Sequence, residues 1–223
     1  MGPPRWDPGA QRGCQALVEG AEWFPSGGLG FFGSRRVAEH CVSAMVLFVL
    51  EAFDADPDAR ARLSRFLLEE QLGDGGWNCS IGSNHGSFNT TTAALEALLS
   101  GANVPRTRKA VERGREFLLE HRLYCSHRTG RVVKPTFTKL RWPVGWETDV
   151  LRQLDWFARA EMPRDERLND AIDLIVRRRL SDGRWAATRP QPGALHFPLE
   201  QPGKPSRWVT LKCLHVLKWW RQP

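Results

Sequence analysis

The stretch that decides the fold is residues 72–99, "LGDGGWNCSIGSNHGSFNTTTAALEALL". It places a polar, glycine-rich turn between the end of one helical pattern and the start of another. Gly75 and Gly76 allow backbone conformations that are closed to other residues, and the apolar run after the turn is typical of a buried helix. The stretch therefore predicts a hairpin of two helices joined by a tight turn.

The same arrangement recurs along the chain at a spacing of about 50 residues. Two further turns follow Leu123 and Leu180, and a degenerate copy covers residues 16–32. A second helical run comes after each turn. Because repeats of this length bury their apolar faces against their neighbours, they are typical of stacked helical units. The four second runs are residues 38–53, 91–100, 147–158 and 208–220.

The two helices of each repeat differ in their apolar pattern. The first has one apolar stripe, which indicates an outer layer, and the second is apolar nearly all round, most clearly over residues 41–50, which indicates an inner layer. Asp56 before Pro57 predicts the cap of one outer helix. Few strands are expected, with residues 130–140 as the one candidate for a short β-hairpin. We therefore predict an all-α fold, an α/α toroid or open solenoid of about four antiparallel helical hairpins, forming one domain over residues 1–223, with hairpins near residues 8–53, 57–100, 106–160 and 164–220.

The composition of the chain restricts the cellular compartment and the kinds of binding partner that we expect. No charged segment followed by an apolar one begins the chain, and no apolar run reaches the roughly 20 residues of a membrane span. The five cysteines are scattered without a CxxC spacing, which fits a reducing compartment. We therefore expect a cytoplasmic protein with no transmembrane span. The net charge of +7 is spread over the chain, so nucleic acid is not the expected partner. Peripheral contact with a membrane and assembly into a homo-oligomer are compatible with the sequence.

The turn motif carries a family resemblance. Residues 71–77, "QLGDGGW", resemble the repeat of the squalene cyclase and protein prenyltransferase β-subunit superfamily, and residues 181–185 match it in part. Residues 126–130, 149–157 and 203–220 are similar to stretches of small bacterial squalene cyclase-like or prenyltransferase-repeat proteins. The resemblance implies an isoprenoid or another hydrophobic ligand in a central pocket, with terpene cyclase-like or prenyltransferase-like chemistry.

The resemblance also implies a structural role for the turn itself. Its aspartate accepts backbone N–H groups and its tryptophan packs on a neighbouring repeat. Asp74 and Trp77 are therefore interpreted as structural, as are Asp182 and Trp185 of the partial copy.

Functional residues are expected where the inner helices begin, because a toroid gathers these ends around one mouth. Aromatic faces can stabilise a carbocation, and a buried carboxyl group with a raised pKa can supply a proton. The catalytic candidates are Glu147, Asp149, His40 and His85. The ligand-binding candidates are Trp142, Trp146, Phe88, Thr91, Arg207, Trp208 and Thr210.

Other interpretations remain open. Glu147 and Asp149 precede an inner helix, where interaction with the helix dipole explains acidic residues equally well. Residues 54–58 depart from the Asp-x-Asp-Asp acid motif of the cyclases, and no Asp-x-Cys zinc pair occurs. Cys79 and His85 are the least unsuitable metal ligands, and neither a metal nor a cofactor is predicted. The alternative function is a noncatalytic repeat scaffold that binds a lipid, a peptide or a protein.

Overall fold

The computed structural model describes residues 3–31, 33, 36–101, 103–188 and 199–221. Within these residues the chain is mostly helical, with eight α-helices and four two-residue strands, which confirms the all-α prediction. The chain divides into two compact units, residues 1–117 and 118–223. The elements are α1 (Pro8–Glu19), β1 (Glu22–Trp23), β2 (Leu29–Gly30), α2 (His40–Phe53), α3 (Pro57–Glu69), α4 (Phe88–Leu98), α5 (Pro105–Glu120), α6 (Val150–Arg159), α7 (Asn169–Arg177), β3 (Trp185–Ala186), β4 (Pro205–Ser206) and α8 (Arg207–Arg221).

Unit 1 is organised around α2, which contacts α1, α3 and α4. Helices α2 and α4 begin at the same end of the unit. The Cys41 N–H, in the first turn of α2, donates to Cys79 Sγ at 2.9 Å, and Ser87, which caps α4, donates its N–H to the Trp77 carbonyl at 2.8 Å. The two helices therefore run parallel. No residue of α4 is exposed, whereas α3 buries one stripe. The predicted contrast between a covered helix and a half-exposed one is present here.

Unit 2 contains a second parallel pair, α6 and α8. Residues 150–158 of α6 are all buried. The Trp219 indole N–H, near the end of α8, donates to the carbonyl of Met162 just beyond the end of α6. Helix α8 departs from the predicted pattern, because Leu211 and Leu214 are 60% and 48% exposed. The charged and polar residues that alternate with its apolar ones make α8 amphipathic.

The local predictions at prolines have different outcomes. Asp56 caps α3, accepting the Ala59 N–H at 2.9 Å, and Pro57 begins the helix as predicted. The β-hairpin expected over residues 130–140 does not form. Pro135 begins a short 3₁₀-helix there, because proline has no N–H to give to a strand ladder. The strand pairs lie elsewhere, with β1 antiparallel to β2 and β3 antiparallel to β4.

The turn before α4 closes around Trp77, which is fully buried. Its indole N–H donates to the Leu67 carbonyl of α3 at 2.7 Å. Its backbone N–H donates to Thr91 Oγ1 of α4 at 3.0 Å. Gly75 has a φ of 87°, and Asp74 accepts the N–H two residues later at 3.0 Å. Trp77 therefore joins α3 to α4 of one hairpin, which is a structural role.

The turn before β3 repeats this geometry around Trp185. Its indole N–H donates to the Ile175 carbonyl of α7 at 2.8 Å. Its backbone N–H donates to Thr210 Oγ1 of α8 at 3.1 Å. Gly183 has a φ of 84°, and Asp182 accepts the N–H two residues later at 3.0 Å. The two turns are thus one clasp made twice.

Two predictions about the whole chain have the following outcomes. No helix in the described part of the chain combines the length and the apolar character needed to cross a membrane. The fourth predicted hairpin includes residues 189–198, which lie outside the described residues. The single toroid of four hairpins stays a prediction.

Candidate functional site

A cavity of about 400 Å³ lies in unit 1 at the start of α2. Its lining combines apolar side chains, among them Phe24, Phe66 and Ile81, with polar and ionisable ones, among them His40, Glu70 and Cys79. Its size is within the range of cavities that hold small ligands, about 300–1,000 Å³. His40 is the one predicted catalytic residue in this lining.

The loop that carries Cys79 follows the Trp77 clasp and is fixed by side-chain hydrogen bonds. Asn78 Oδ1 accepts the Ser80 N–H at 2.9 Å, and Asn78 Nδ2 donates to the His85 carbonyl at 2.7 Å. Asp74 Oδ2 accepts the N–H of the residue after His85 at 2.7 Å. Asparagine and aspartate commonly organise turns in this way. The loop is therefore held at both ends, and Cys79 lies beside α2.

Cys79 lies in surroundings that favour its thiolate. The first turn of α2 supplies the Cys41 N–H at 2.9 Å from Sγ, and a helix N-terminus stabilises negative charge. Hydrogen bonding from the Cys41 side chain lowers the pKa of Cys79 most strongly, and interactions with His40 and Thr90 add to the decrease against the opposing effect of burial. The pKa of Cys41 is raised, chiefly through its hydrogen bond to Cys79. Cys79 is therefore the thiol of this pair that ionises first.

His40 is paired with a carboxylate beside Cys79. Its Nε2 lies 3.1 Å from Glu70 Oε2, and its ring stacks on Phe66 with centroids 5.1 Å apart. Its Nδ1 is buried and makes no hydrogen bond of standard geometry. Burial alone lowers the pKa of His40, but the interactions with Cys79 and Glu70 outweigh burial and raise it. The His40 imidazole is thus paired with the Glu70 carboxylate, and Cys79 lines the same cavity.

The other candidates of unit 1 serve packing in this structure. His85 Nδ1 lies 2.7 Å from Asp74 Oδ2, and its ring meets the edge of Phe117. Phe88 is buried and also contacts Phe117. Thr91 is fully buried and accepts the backbone N–H of the clasp tryptophan. None of these three candidates is among the residues that line the cavity.

In unit 2, the Glu147 carboxylate forms ion pairs with two neighbouring cations. Its carboxylate lies 2.9 Å from Arg141 Nη1 and 3.8 Å from Lys134 Nζ. Thr136 Oγ1 donates to it at 3.1 Å. The Glu147 side chain is 11% exposed. A carboxylate held between two cations is stabilised as the anion, which is the opposite of what a proton donor needs.

Asp149 caps the start of α6. It accepts the Arg152 N–H at 2.9 Å and the Arg141 N–H at 3.1 Å. Burial raises the pKa of Asp149 to about 6, against the opposing effect of these two backbone hydrogen bonds. The raised pKa fits the predicted buried acid. Both carboxylate oxygens are nevertheless occupied by backbone donors, which is the capping role that the sequence left open.

The aromatic candidates of unit 2 come together in part. Trp142 and Trp208 stack with centroids 5.1 Å apart, and Lys212 Nζ lies 5.8 Å from the Trp142 ring centroid. Trp146 is 58% exposed. Thr210 holds the second clasp tryptophan, and Arg207 is the first residue of α8 and is exposed.

Sequence reasoning selected His40 but did not select Glu70 and considered Cys79 only as a metal ligand. These three residues lie on the start of α2, just after the end of α3 and in a loop, so no single helical or strand pattern connects them. The available signal was the position of Cys79, two residues after the clasp tryptophan and shortly before the start of α4.

Comparison of this chain with protein-family models finds no match, and comparison with curated protein sequences finds none either. The resemblance to the squalene cyclase and prenyltransferase repeats therefore rests on the turn motif and on the three stretches named above, and it stays a hypothesis.

Proposed function

We propose that this protein binds a small, largely apolar molecule of the isoprenoid type in the cavity of unit 1. The observation that carries the proposal is the cavity itself, whose lining combines apolar side chains with a few ionisable ones at the start of α2. Apolar walls with a few placed polar groups are the usual composition of small-molecule sites. The lining includes His40, one of the residues that the sequence selected.

The proposal includes the α/α toroid or open solenoid of the prenyltransferase-repeat type. It is supported by two parallel pairs of contacting helices, α2 with α4 and α6 with α8. It is also supported by the same tryptophan clasp before the second helix of each pair. In such an arrangement the cavity lies where inner helices begin, which is where the family resemblance expects the ligand.

The ligand is proposed at His40 and not at Glu147 or Asp149. Those two carboxyl groups are occupied by arginine, lysine and backbone donors. By contrast, Ile81 lines the cavity and is 76% exposed, so an apolar chain placed there covers it. Burying an isoleucine side chain contributes about 1.5–3 kcal/mol.

The test is direct binding of farnesol and farnesyl diphosphate, followed by native mass spectrometry and tryptophan fluorescence. We expect a 1:1 complex with at least one of the two probes. Ile81→Asp should weaken binding by about 10-fold or more, because it places a charge on the apolar wall. Val133→Asp is the matched control, since Val133 is a half-exposed aliphatic residue of unit 2, and it should bind within about twofold of the parent protein.

Failure of both probes to bind a folded protein would contradict the proposal. The noncatalytic scaffold would then be the better description, and co-purification of a peptide or a protein would be its signature. Equal weakening by Ile81→Asp and Val133→Asp would also contradict the proposed location.

A further inference from the structure

The cavity contains a cluster of ionisable groups that binding alone does not require. Glu70 follows the end of α3, His40 begins α2, and Cys79 lies in the loop before α4. Glu70 Oε2 is 3.1 Å from His40 Nε2. Cys79 lines the same cavity as His40, and the N–H of Cys41, the residue after His40, donates to Cys79 Sγ at 2.9 Å. A carboxylate, an imidazole and a thiol brought together in this way are the components of an activated cysteine nucleophile.

The thiol is placed to react and not merely to pack. Cys79 is partly exposed and lines the cavity, whereas Cys14, Cys125 and Cys213 are buried. The Cys41 N–H, from the first turn of a helix, donates to Cys79 Sγ. Reactive cysteines are found in such partly exposed sites beside a helix N-terminus and a histidine.

The charged groups around Cys79 come from several elements. His40 and Cys41 face it from α2, and Glu70 acts on it through His40. Glu39, at the N-cap position of α2, acts on the Cys41 thiol and contributes to its raised pKa. Arg36 lines the same cavity. The cavity lining therefore holds His40, Arg36 and Glu70 together with the Cys79 thiol.

We propose that Cys79 is the nucleophile of a hydrolytic site for esters or thioesters, with His40 as the proton-transfer group and Glu70 as the residue that positions His40. The proposal rests on the proposed function, because it uses the same cavity. The apolar wall receives the chain of the acyl group, and the carbonyl carbon lies beside Cys79. The substrate class is therefore an ester or thioester of an apolar acid.

The reaction has two balanced steps. In the first, the Cys79 thiolate forms a C–S bond to the carbonyl carbon, the bond to the alcohol or thiol breaks, and the imidazolium of His40 gives its proton to the leaving group. In the second, water attacks the acyl carbon while the imidazole of His40 accepts a proton from it, and the C–S bond breaks. The products are the free acid, the alcohol or thiol, and the regenerated thiolate and imidazolium.

The experiment measures acylation of the whole chain by p-nitrophenyl octanoate, with p-nitrophenyl acetate as the short-chain comparison. We expect release of one equivalent of nitrophenolate in a burst and a mass increase on the peptide that contains Cys79. Cys79→Ser should lose the acyl adduct and reduce the rate by about 100-fold or more. His40→Asn should reduce the rate by about 100-fold, the lower end of the range for general acid–base catalysis.

Two further variants separate catalysis from other roles. Glu70→Gln should lower the rate less than His40→Asn and should move the pH dependence assigned to His40 to lower pH, because the carboxylate favours the imidazolium. Cys41→Ser retains the backbone N–H that donates to Cys79 Sγ but exchanges the thiol donor for a hydroxyl, so it should keep the Cys79 adduct and change the pH dependence of acylation. Circular dichroism checks that each variant is folded.

Several results would overturn the inference. One is acylation of another residue, and a second is a burst that survives in Cys79→Ser. A third is rapid formation of a Cys41–Cys79 disulfide that replaces acylation under mild oxidation, because it would identify a redox pair. Farnesol binding by Cys79→Ser separates this proposal from the one above. Binding without acylation in the parent protein removes only the nucleophile, and loss of both removes the ligand site as well.

Discussion

The two tryptophan clasps share a backbone but differ in what their aspartates reach. Asp182 binds Arg184 of its own turn, and both side chains are exposed at the surface. Asp74 closes its own turn and also holds His85 and the N–H that follows it. The clasp therefore joins a pair of helices in each unit, but in unit 1 it also anchors the loop that carries Cys79. In unit 1, the same structural motif therefore also supports the candidate site.

The residue that precedes the leucine of each clasp also differs between the two units. Gln71 donates to the carbonyls of Gly75 and Ala110, so it ties the first turn to α5. Arg179 donates to the Gly183 carbonyl at 2.9 Å, and its guanidinium lies 5.4 Å from the Trp185 ring centroid. The backbone carbonyl at this position is satisfied in both cases. What changes with the side chain is the second partner, an adjacent helix in unit 1 and an aromatic face in unit 2.

The largest expected effect comes from removing either clasp tryptophan. Trp77 and Trp185 are both fully buried and both bridge two elements. Trp77→Ala and Trp185→Ala should each lower the free energy of unfolding by about 3–5 kcal/mol, because each leaves a large cavity and removes a buried hydrogen bond. Urea denaturation measures the loss, and hydrogen exchange locates it in the unit that carries the substitution.

Unequal losses of unfolding free energy in the two variants would contradict the view that the two clasps do the same work in their units. A decrease below about 1 kcal/mol for one tryptophan would mean that its clasp does not hold its unit together. Loss of exchange protection in both units after a single substitution would contradict the assignment of each clasp to its own unit.

A second difference between the units concerns the caps of their covered helices. Ser87 caps α4 with a neutral hydroxyl, and Asp149 caps α6 with a buried carboxyl group. The pKa of Asp149 is raised by burial to about 6, above the unfolded value near 3.9. The folded state therefore binds the proton more tightly, and the contribution of this group to stability is greatest below pH 4 and is lost as pH rises through 6.

Asp149→Asn should remove this pH dependence. A difference of about two pKa units corresponds to roughly 3 kcal/mol, so the change in unfolding free energy between pH 4 and pH 7 should shrink by up to this amount. Asparagine also caps helices, which keeps α6 intact. Ser87→Ala is the control, and its cost of about 1 kcal/mol should be independent of pH. If the unfolding free energy of Asp149→Asn keeps the pH dependence of the parent protein, the Asp149 carboxyl group does not cause that dependence.

The next largest effect is a difference between the positive-φ glycines of the two clasps, Gly75 and Gly183. Gly75 and Gly183 both have positive φ angles, 87° and 84°, so alanine is strained at either position by about 1–2 kcal/mol. A Cβ at Gly75 would also lie 2.5 Å from the Arg113 carbonyl oxygen, whereas at Gly183 the nearest atom is a flexible guanidinium nitrogen at 3.2 Å. Gly75→Ala should therefore cost about 1 kcal/mol more than Gly183→Ala, measured by urea denaturation. The reverse order would contradict the tighter packing of the first turn.

The sequence predicts the clasps well because their chemistry is local. The glycine, aspartate and tryptophan of each turn are separated by only a few residues, and each has a conformational or capping reason to be there. The cap at Asp56 is predicted for the same reason, since it is formed within a single helical turn. Helix α8 was predicted less well, because apolar composition does not reveal that Leu211 and Leu214 are exposed.

The candidate site was predicted only in part, because its members come from three separate elements. His40 was selected from its position at an inner helix start, and that reasoning applies equally to His85, which the structure pairs with Asp74. Glu70 looked like an ordinary charged residue near the end of an amphipathic helix. Only the folded chain brings its carboxylate to 3.1 Å from His40. Partners of that kind depend on packing, which has no local signature.

The last comparison tests whether the two clasp threonines are structural or bind ligand, since the sequence proposed both for ligand binding. Thr91 and Thr210 each accept the backbone N–H of a clasp tryptophan, at 3.0 Å and 3.1 Å, but the first bond is buried and the second is only partly buried. Valine keeps the shape and leaves that N–H without its acceptor. Thr91→Val should therefore cost about 1–3 kcal/mol of unfolding free energy, and Thr210→Val, where water can replace the hydroxyl, about 0.5–1.5 kcal/mol. Farnesol binding should be unchanged in both, because neither side chain lines the cavity of unit 1. Weaker binding without a loss of stability would assign the threonines to the ligand and would leave the tryptophans alone as the element common to the two units.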